Sequence, residues 1–258
     1  MAESLSSPHG APGPAATPAQ DQRARERALF LERLYANRFD AEASRKKGEL
    51  WKVLIERFLQ RYVASDGSVL DIAGGSCEFI NQVRAREKHV IDLDPRVASR
   101  AAPGVRVHAL DLLGDLGGWP LEGHFDHVFV SNLFEHLETR DDLVRLLRFC
   151  HASLKPGGSL LVLQPNFKYA FREYFDFIDH VLPITERSLA EALLATGFRI
   201  ETLIPRFLPY TTKGRSSSPL LLRVYLGVPL LWRVFGGQIF VKAVRPAAAA
   251  SRDALSAP

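Results

Sequence analysis

SVLDIAGGSCEF, residues 68–79, is an apolar run of strand length that ends in small residues and turns at once into a helix-forming segment. Val69, Leu70 and Ile72 suit a strand buried on both faces. Ala73, Gly74, Gly75 and Ser76 let the backbone turn sharply and approach a ligand closely. The helix expected over Cys77–Arg86 would present free N–H groups to an anion. The same turn also serves as plain punctuation between a strand and a helix.

Outward from this stretch the pattern repeats. HVIDLD (89–94), VRVHAL (105–110) and HVFVSN (127–132) read as further short strands. A helix is expected over Asp141–Leu154, because Leu143, Leu146, Leu147, Cys150 and Leu154 share one face. Lys155–Gly158 (KPGG) reads as a stop and turn before a fifth strand, Ser159–Gln164. Thr185 offers an N-cap to a helix that Gly197 ends. Phe198–Ile204 and Gln238–Arg245 complete seven strands. Short apolar strands alternating with amphipathic helices predict an α/β fold, a mostly parallel Rossmann-like sheet with helices on both faces. Ligands of such sheets bind beyond the carboxyl ends of the strands, so the chemistry is expected in the segments that follow them.

The first strand ends in the small-residue turn, and the next two end in acids. Asp92 lies 21 positions beyond Asp71, at the end of the second strand. An acid at that place accepts hydrogen bonds from the ribose hydroxyls of a nucleotide. Asp94, before Pro95, is expected to cap the next helix. Asp111 ends the third strand, where it would meet an adenine amino group or stand as a solvated loop acid.

The order VLDIAGGSCEF, VIDLDP, VHALD, FDHVFVSNLFEHL and LKPGGSLLVLQPN resembles the class I S-adenosylmethionine-dependent methyltransferases over about residues 68–205, with a last strand at 238–245. The resemblance implies a seven-stranded sheet whose last strand is antiparallel, and S-adenosyl-L-methionine as cofactor. It puts the glycine loop on Asp71, Ala73, Gly74, Gly75 and Cys77, the ribose acid on Asp92 beside Leu93, the adenine-side acid on Asp111, and the tip of strand four on Ser131 and Asn132. QPNFKYAFREYFDFIDHVLPITERSL and RFLPYTTKGR resemble a bacterial subgroup of unsettled substrate. One departure stands out. The family loop reads Gly-x-Gly-x-Gly, and its first and third positions here are Ala73 and Cys77. Ala is a small change where φ is negative, Cys takes up space, and Gly74 is the neighbour that would restore flexibility.

Methyl transfer from a sulfonium releases a neutral thioether, so alignment supplies much of the acceleration. A base is needed only for a poor nucleophile. The candidates are His136, after strand four, and His180 with Asp179 or Asp176, in the aromatic segment 169–180. His136 with Glu135, and the 169–180 segment, have structural readings beside these. No Cys/His cluster accompanies Cys77 and Cys150, and no metal is expected.

Around this core, residues 1–20 read as a disordered tail, 21–64 as a helical extension with Trp51, Leu54, Phe58 and Tyr62 on one face, 65–246 as the main domain with an insertion at 205–237, and 247–258 as a second tail. The chain of 258 residues has a formal net charge of +4. Two free thiols and no basic-then-apolar leader are read as a cytoplasmic protein. Within the insertion, PLLLRVYLGVPLLWRVF (219–235) is too short to span a bilayer. It reads either as a lid or as an element lying on a membrane surface at the inner face. The acceptor is expected to be a small molecule or a lipid-linked glycan. A nicotinamide dehydrogenase is disfavoured because AGGSCEF is not G-x-G-x-x-G. A nucleic-acid methyltransferase is disfavoured because no Asp/Asn-Pro-Pro-Tyr follows strand four. A non-catalytic scaffold with a degenerate loop is the remaining alternative.

Overall fold

The computed structural model describes residues 41–114, 119–210 and 218–247. The chain divides into two compact units, residues 1–45 and 46–258. The expected tails at 1–20 and 247–258, and most of the first half of the helical extension, lie outside the described residues.

Seven strands form one sheet: β1 (Ser68–Ile72), β2 (Glu87–Asp92), β3 (Val105–Ala109), β4 (Phe125–Ser131), β5 (Leu154–Pro165), β6 (Arg199–Ile204) and β7 (Gln238–Val244). Their order is β3-β2-β1-β4-β5-β7-β6. Every pair is parallel except the two that involve β7, which runs antiparallel to both β5 and β6. This is the architecture expected from the alternation of strands and helices. The helices are α1 (Ala41–Arg57), α2 (Glu78–Gln82), α3 (Val97–Arg100), α4 (Arg140–Ser153), α5 (Phe167–Ala170), α6 (Glu186–Ala195), α7 (Pro219–Gly227) and α8 (Pro229–Phe235).

Because successive strand side chains point to opposite faces, each central strand feeds two cores. Leu70, Ile72, Val128, Val130, Leu160, Val162, Ile239 and Val241 pack with Leu143, Leu146 and Leu147 of α4 and Leu189 and Leu193 of α6. Val69, Val90, Phe129, Leu161, Leu163 and Phe240 pack on the other face with Leu54 and Phe58, and with Phe79 and Ile80 of α2. Phe58 is central to that second core, with ring centroids 4.1 Å from Phe207 and 4.8 Å from Phe240.

Two local expectations change. The helix after β1 ends at Gln82, because Val83 is extended and the chain must return to start β2. Lys155–Gly158 is not a turn. It lies inside β5, where the pairing with β4 shifts register between Phe125 and His127 and Gly157 takes φ 83°. Turn-type residues therefore build a bulge, as left-handed glycine does in a strand. The 205–237 insertion contains α7 and α8, and Tyr225 Oη donates to the Phe207 carbonyl, tying α7 back to the second core. Thr185 does cap α6, in a capping box with Ser188, and Gly197 takes φ 90° just past its end.

Candidate active site

From β1 the chain winds outward to β2 and β3, and from β4 it winds the other way to β5. The break between β1 and β4 opens a crevice beyond their carboxyl ends, the place where ligands bind in such sheets. The tips there are level: Ile72 lies opposite both Ile91 and Val130, and Asp92 lies opposite Ala109.

The loop after β1 is held in an unusual backbone conformation. Ala73, Gly75 and Cys77, the three positions of the family glycines, have φ of 54°, 54° and 62°. The condition under which Ala73 would be a small change, a negative φ, is not met. Left-handed backbone costs an L-residue about 1–2 kcal/mol. Among the described residues the only other non-glycine residue with positive φ is Asn132, at 48°, on the tip of β4. Strain persists where the surrounding structure enforces it, and it gathers at functional sites. Here it sits on both sides of the crevice.

Gly74 has a different task from the one its neighbours suggest. Its φ is ordinary, but a Cβ there would lie 2.3 Å from Val90 Cγ2 and 3.3 Å from Asp71 Oδ2. The loop crosses so close over β2, with Ala73 and Gly74 N–H groups donating to the Ile91 carbonyl, that no side chain fits. Asp71 is buried under this crossing. Burial pushes its carboxyl well above the usual carboxylate range, and the charges of Glu78 and Asp92 add to that.

Asp92 ties the two strand-end loops together. Its Oδ2 accepts from Gly75 N–H at 2.8 Å and its Oδ1 from Asp94 N–H at 2.8 Å. A carboxylate accepts in about four directions, so both oxygens keep acceptor capacity beyond these bonds. Leu93, next to it, is 63% exposed. Asp94 is not the helix cap. Its Oδ1 accepts from Arg96 N–H at 2.9 Å, its carboxylate pairs with Arg96 and Arg100, and α3 starts only at Val97. The Pro95 ring fixes a turn first and delays the helix. Asp111 is exposed two residues beyond β3 and closes a local turn by accepting from Leu113 N–H at 2.9 Å.

On the other side of the crevice a polar cluster follows β4 and β5. Phe134–His136 forms one turn of 3-10 helix. The Glu135 side chain is 2% exposed and its Oε2 accepts from Gln164 Nε2 at 2.6 Å. The Glu135 carbonyl accepts from the N–H groups of Val181 and Leu182, which fastens the segment after α5 to this turn. His136 Nδ1 lies 3.0 Å from the Asp179 carbonyl and 3.3 Å from Asp179 Oδ2, and His136 Nε2 lies 3.9 Å from Glu135 Oε1. His180 Nδ1 is 3.1 Å from Tyr210 Oη, and its ring stands edge-on to His136 at 5.0 Å. Burial pushes the Glu135 carboxyl up. Burial also raises the hydroxyls of Tyr174 and Tyr210, with the Glu135 charge adding to both, so the phenols stay protonated.

The structure thus brings His136, Asp179 and His180 together, as their chain positions suggest, but in another arrangement: Asp179 holds His136, and Tyr210 holds His180. Gln164, Tyr174 and Tyr210 were missed. Gln164 did carry a signal, a polar residue at the end of an otherwise apolar strand. Tyr210 carried none, because it reaches the cluster from the far side of β6.

Residues 42–203 match the family model described as "Methyltransferase domain". Among curated proteins no sequence matches the chain. Solved structures similar to it include an S-adenosylmethionine-dependent methyltransferase from Archaeoglobus fulgidus, with 21% identity over 77% of this chain and 94% of that one and a TM-score of 0.57. A second, from Mesorhizobium loti, has 20% identity over 72% and 95% of the two chains and a TM-score of 0.52. The [4+2]-cyclase SpnF has 16% identity over 76% and 82%, with a TM-score of 0.52. At these identities the likeness is one of fold. The family model covers more than half of the chain and decides the assignment: the chain belongs to the methyltransferase domain family, the class I S-adenosylmethionine-dependent methyltransferases.

Proposed function

We propose that this protein transfers a methyl group from S-adenosylmethionine to an acceptor held beyond β4 and β5. The observation that carries the reading is the loop 73–77, left-handed at Ala73, Gly75 and Cys77 and anchored by Asp92 at the break in the sheet. The donor set fits the cofactor. Glu78 and Asp92 bring negative charge to the loop, above the buried Asp71 carboxyl, which suits a ligand carrying a sulfonium and an ammonium group. Asp92 keeps acceptor capacity for ribose hydroxyls, and the exposed Leu93 and Leu110 at the tips of β2 and β3 offer apolar surface to a flat base. Asp111 directly follows Leu110 at the tip of β3. When bound, the cofactor supplies an electrophilic methyl whose leaving group is neutral.

The protein's part is to position the acceptor and, for a hydroxyl, to take up its proton. Asn132 is exposed at the strained tip of β4. His136, with Nδ1 fixed by Asp179, presents Nε2 as the proton acceptor, and His180 stands beside it.

A lipid-linked acceptor is favoured by the surface of α7 and α8. Leu220, Leu221, Val224, Leu230, Val234 and Phe235 are exposed there, along with Arg223 and Arg233. From Thr202 to Arg252 the chain has no acid. Apolar side chains beside cations suit the interface of an anionic membrane. No helix among the described residues is long and apolar enough to cross a membrane. The test is mass spectrometry of cell extract incubated with the purified protein and methyl-labelled cofactor. A labelled product in the lipid extract is expected. Label confined to water-soluble small molecules would refute the lipid-linked acceptor, and no labelled product with cofactor demonstrably bound would refute methyl transfer.

A further inference from the structure

Glu135, His136 and His180 each offer one ligand atom, a carboxylate oxygen or a ring nitrogen, and these atoms lie within 4.8 Å of one another. We infer that the three form a site for a divalent transition-metal cation, of the Mn²⁺, Co²⁺ or Zn²⁺ class, at the acceptor end of the crevice. Metal–nitrogen and metal–oxygen bonds of about 2.0–2.2 Å set tetrahedral ligand atoms about 3.4 Å apart, so side-chain rotations that draw the three together by about an ångström complete the site. Two imidazoles and one carboxylate match cations of intermediate softness and leave coordination positions open.

The surroundings are built for that purpose. Nδ1–H of His136 donates to the Asp179 carbonyl at 3.0 Å, with the Asp179 carboxylate at 3.3 Å, so the lone pair of the ring is on Nε2, on the Glu135 side. A backbone or carboxylate oxygen behind a ligating histidine is the usual way its tautomer and ring angle are fixed. Gln164 does the same for Glu135 from Oε2, leaving Oε1 toward His136. His180 is held by Tyr210 Oη and packs its ring on Phe177 at 4.9 Å. Glu173, Asp176 and Asp179 add acidic groups around Tyr210. His136 is 24% exposed, which gives an entry path, whereas Glu135 is sealed beneath it.

A second group, Glu87, His89 and His124, has similar spacing but lacks these properties. The Arg106 guanidinium already sits 2.6 Å from Glu87 Oε1, and the two ring nitrogens of His89 are taken by His108 and Glu87. That cluster is a satisfied hydrogen-bond network.

The metal's role rests on the methyl-transfer reading, while its binding does not. An acceptor hydroxyl coordinated at an open position would lose its proton to water more readily. The oxygen lone pair then forms the O–CH₃ bond, and the S–CH₃ pair returns to sulfur as the neutral thioether. The cation thereby takes over from His136 Nε2, whose lone pair, once given to the metal, no longer accepts the proton of the hydroxyl.

The test is titration of the full untagged chain, freed of metal by chelation, with Co²⁺ alone, followed by visible absorption and calorimetry. One cobalt per chain with d–d bands of a nitrogen-ligated site is expected. His180→Ala should weaken binding at least about ten-fold, with an unchanged far-ultraviolet circular dichroism spectrum, and Glu135→Gln should do the same. His124→Ala should bind as the parent does. No binding by the parent at millimolar cobalt, or loss in His124→Ala with retention in folded His180→Ala, overturns the site. Binding of S-adenosylhomocysteine, measured on the metal-free chain, reports separately on the cofactor reading.

Discussion

Gly74 is the residue whose substitution tests the geometry of the cofactor loop most sharply. In Gly74→Ala the new methyl would lie 2.3 Å from Val90 Cγ2, well inside van der Waals contact, and Val90 is fully buried on β2. Overpacking of this kind costs about 1–3 kcal/mol. Val90→Ala alone removes two buried methyls and costs about 2 kcal/mol through lost burial and the cavity left behind. In the double variant the methyl added at position 74 occupies the space that Val90 gave up. The two changes should therefore couple favourably by about 1–3 kcal/mol. Gly75→Ala provides the contrast: its φ is 54° but only the Ala73 carbonyl, at 4.0 Å, is near, so its cost is backbone strain and Val90→Ala should not relieve it. Urea unfolding with linear extrapolation measures all of these, with m values expected to stay constant. Additivity of Gly74→Ala and Val90→Ala to within about 0.5 kcal/mol would refute the close crossing of the loop over β2.

Other outcomes follow from the same structure. Ala73→Gly relieves about 1–2 kcal/mol of left-handed strain against about 0.5–1 kcal/mol of added chain entropy; it should leave the protein as stable as before or slightly more so, where the same change at right-handed backbone destabilises, and thermal melting reads the sign. Burial acts against the charge of Asp126, yet the Lys155 ammonium and the Ser68 N–H and hydroxyl hold its carboxyl at about 2. Its folded value is below the unfolded one, so its contribution is complete above about pH 4 and is lost as pH falls toward 2; after allowance for its partial exposure, Asp126→Asn should remove about 1–2 kcal/mol at pH 7 and little at pH 2, as urea midpoints against pH will tell. In liposome flotation at low salt the chain should rise with anionic vesicles, and Leu221→Glu with Val224→Glu should abolish this; a parent chain that stays in the soluble fraction removes the membrane contact of α7 and α8.

The strands were legible because each is a short apolar run, and the first three end in a small-residue turn or an acid. Asp92 and Asn132 could be placed at strand tips from the pattern of apolar runs. The conformations of Ala73 and Cys77 could not, since nothing in an alanine or a buried cysteine signals a positive φ; only the family's glycines at those positions hint at it. Asp94 followed by Pro95 reads as a cap, but the carboxylate serves Arg96 and Arg100 instead, a choice made by side chains up to six residues away. The polar cluster was half legible. His136, Asp179 and His180 stood out as residues able to move protons, whereas Tyr210, which holds His180, comes from beyond β6, at a separation that periodicity does not reach. Glu135 resembled a helix-start acid because its burial depends on Gln164, 29 positions away.

The central claim is that the loop 73–77 and Asp92 form the S-adenosylmethionine site, and calorimetric titration of the chain with that cofactor tests it most directly. One site per chain is expected, and Asp92→Ala should weaken it by about 10- to 100-fold, the loss of one charge-assisted hydrogen bond of about 1.5–3 kcal/mol. No heat of binding with millimolar cofactor on a folded chain, or equal affinity in a folded Asp92→Ala, would contradict it.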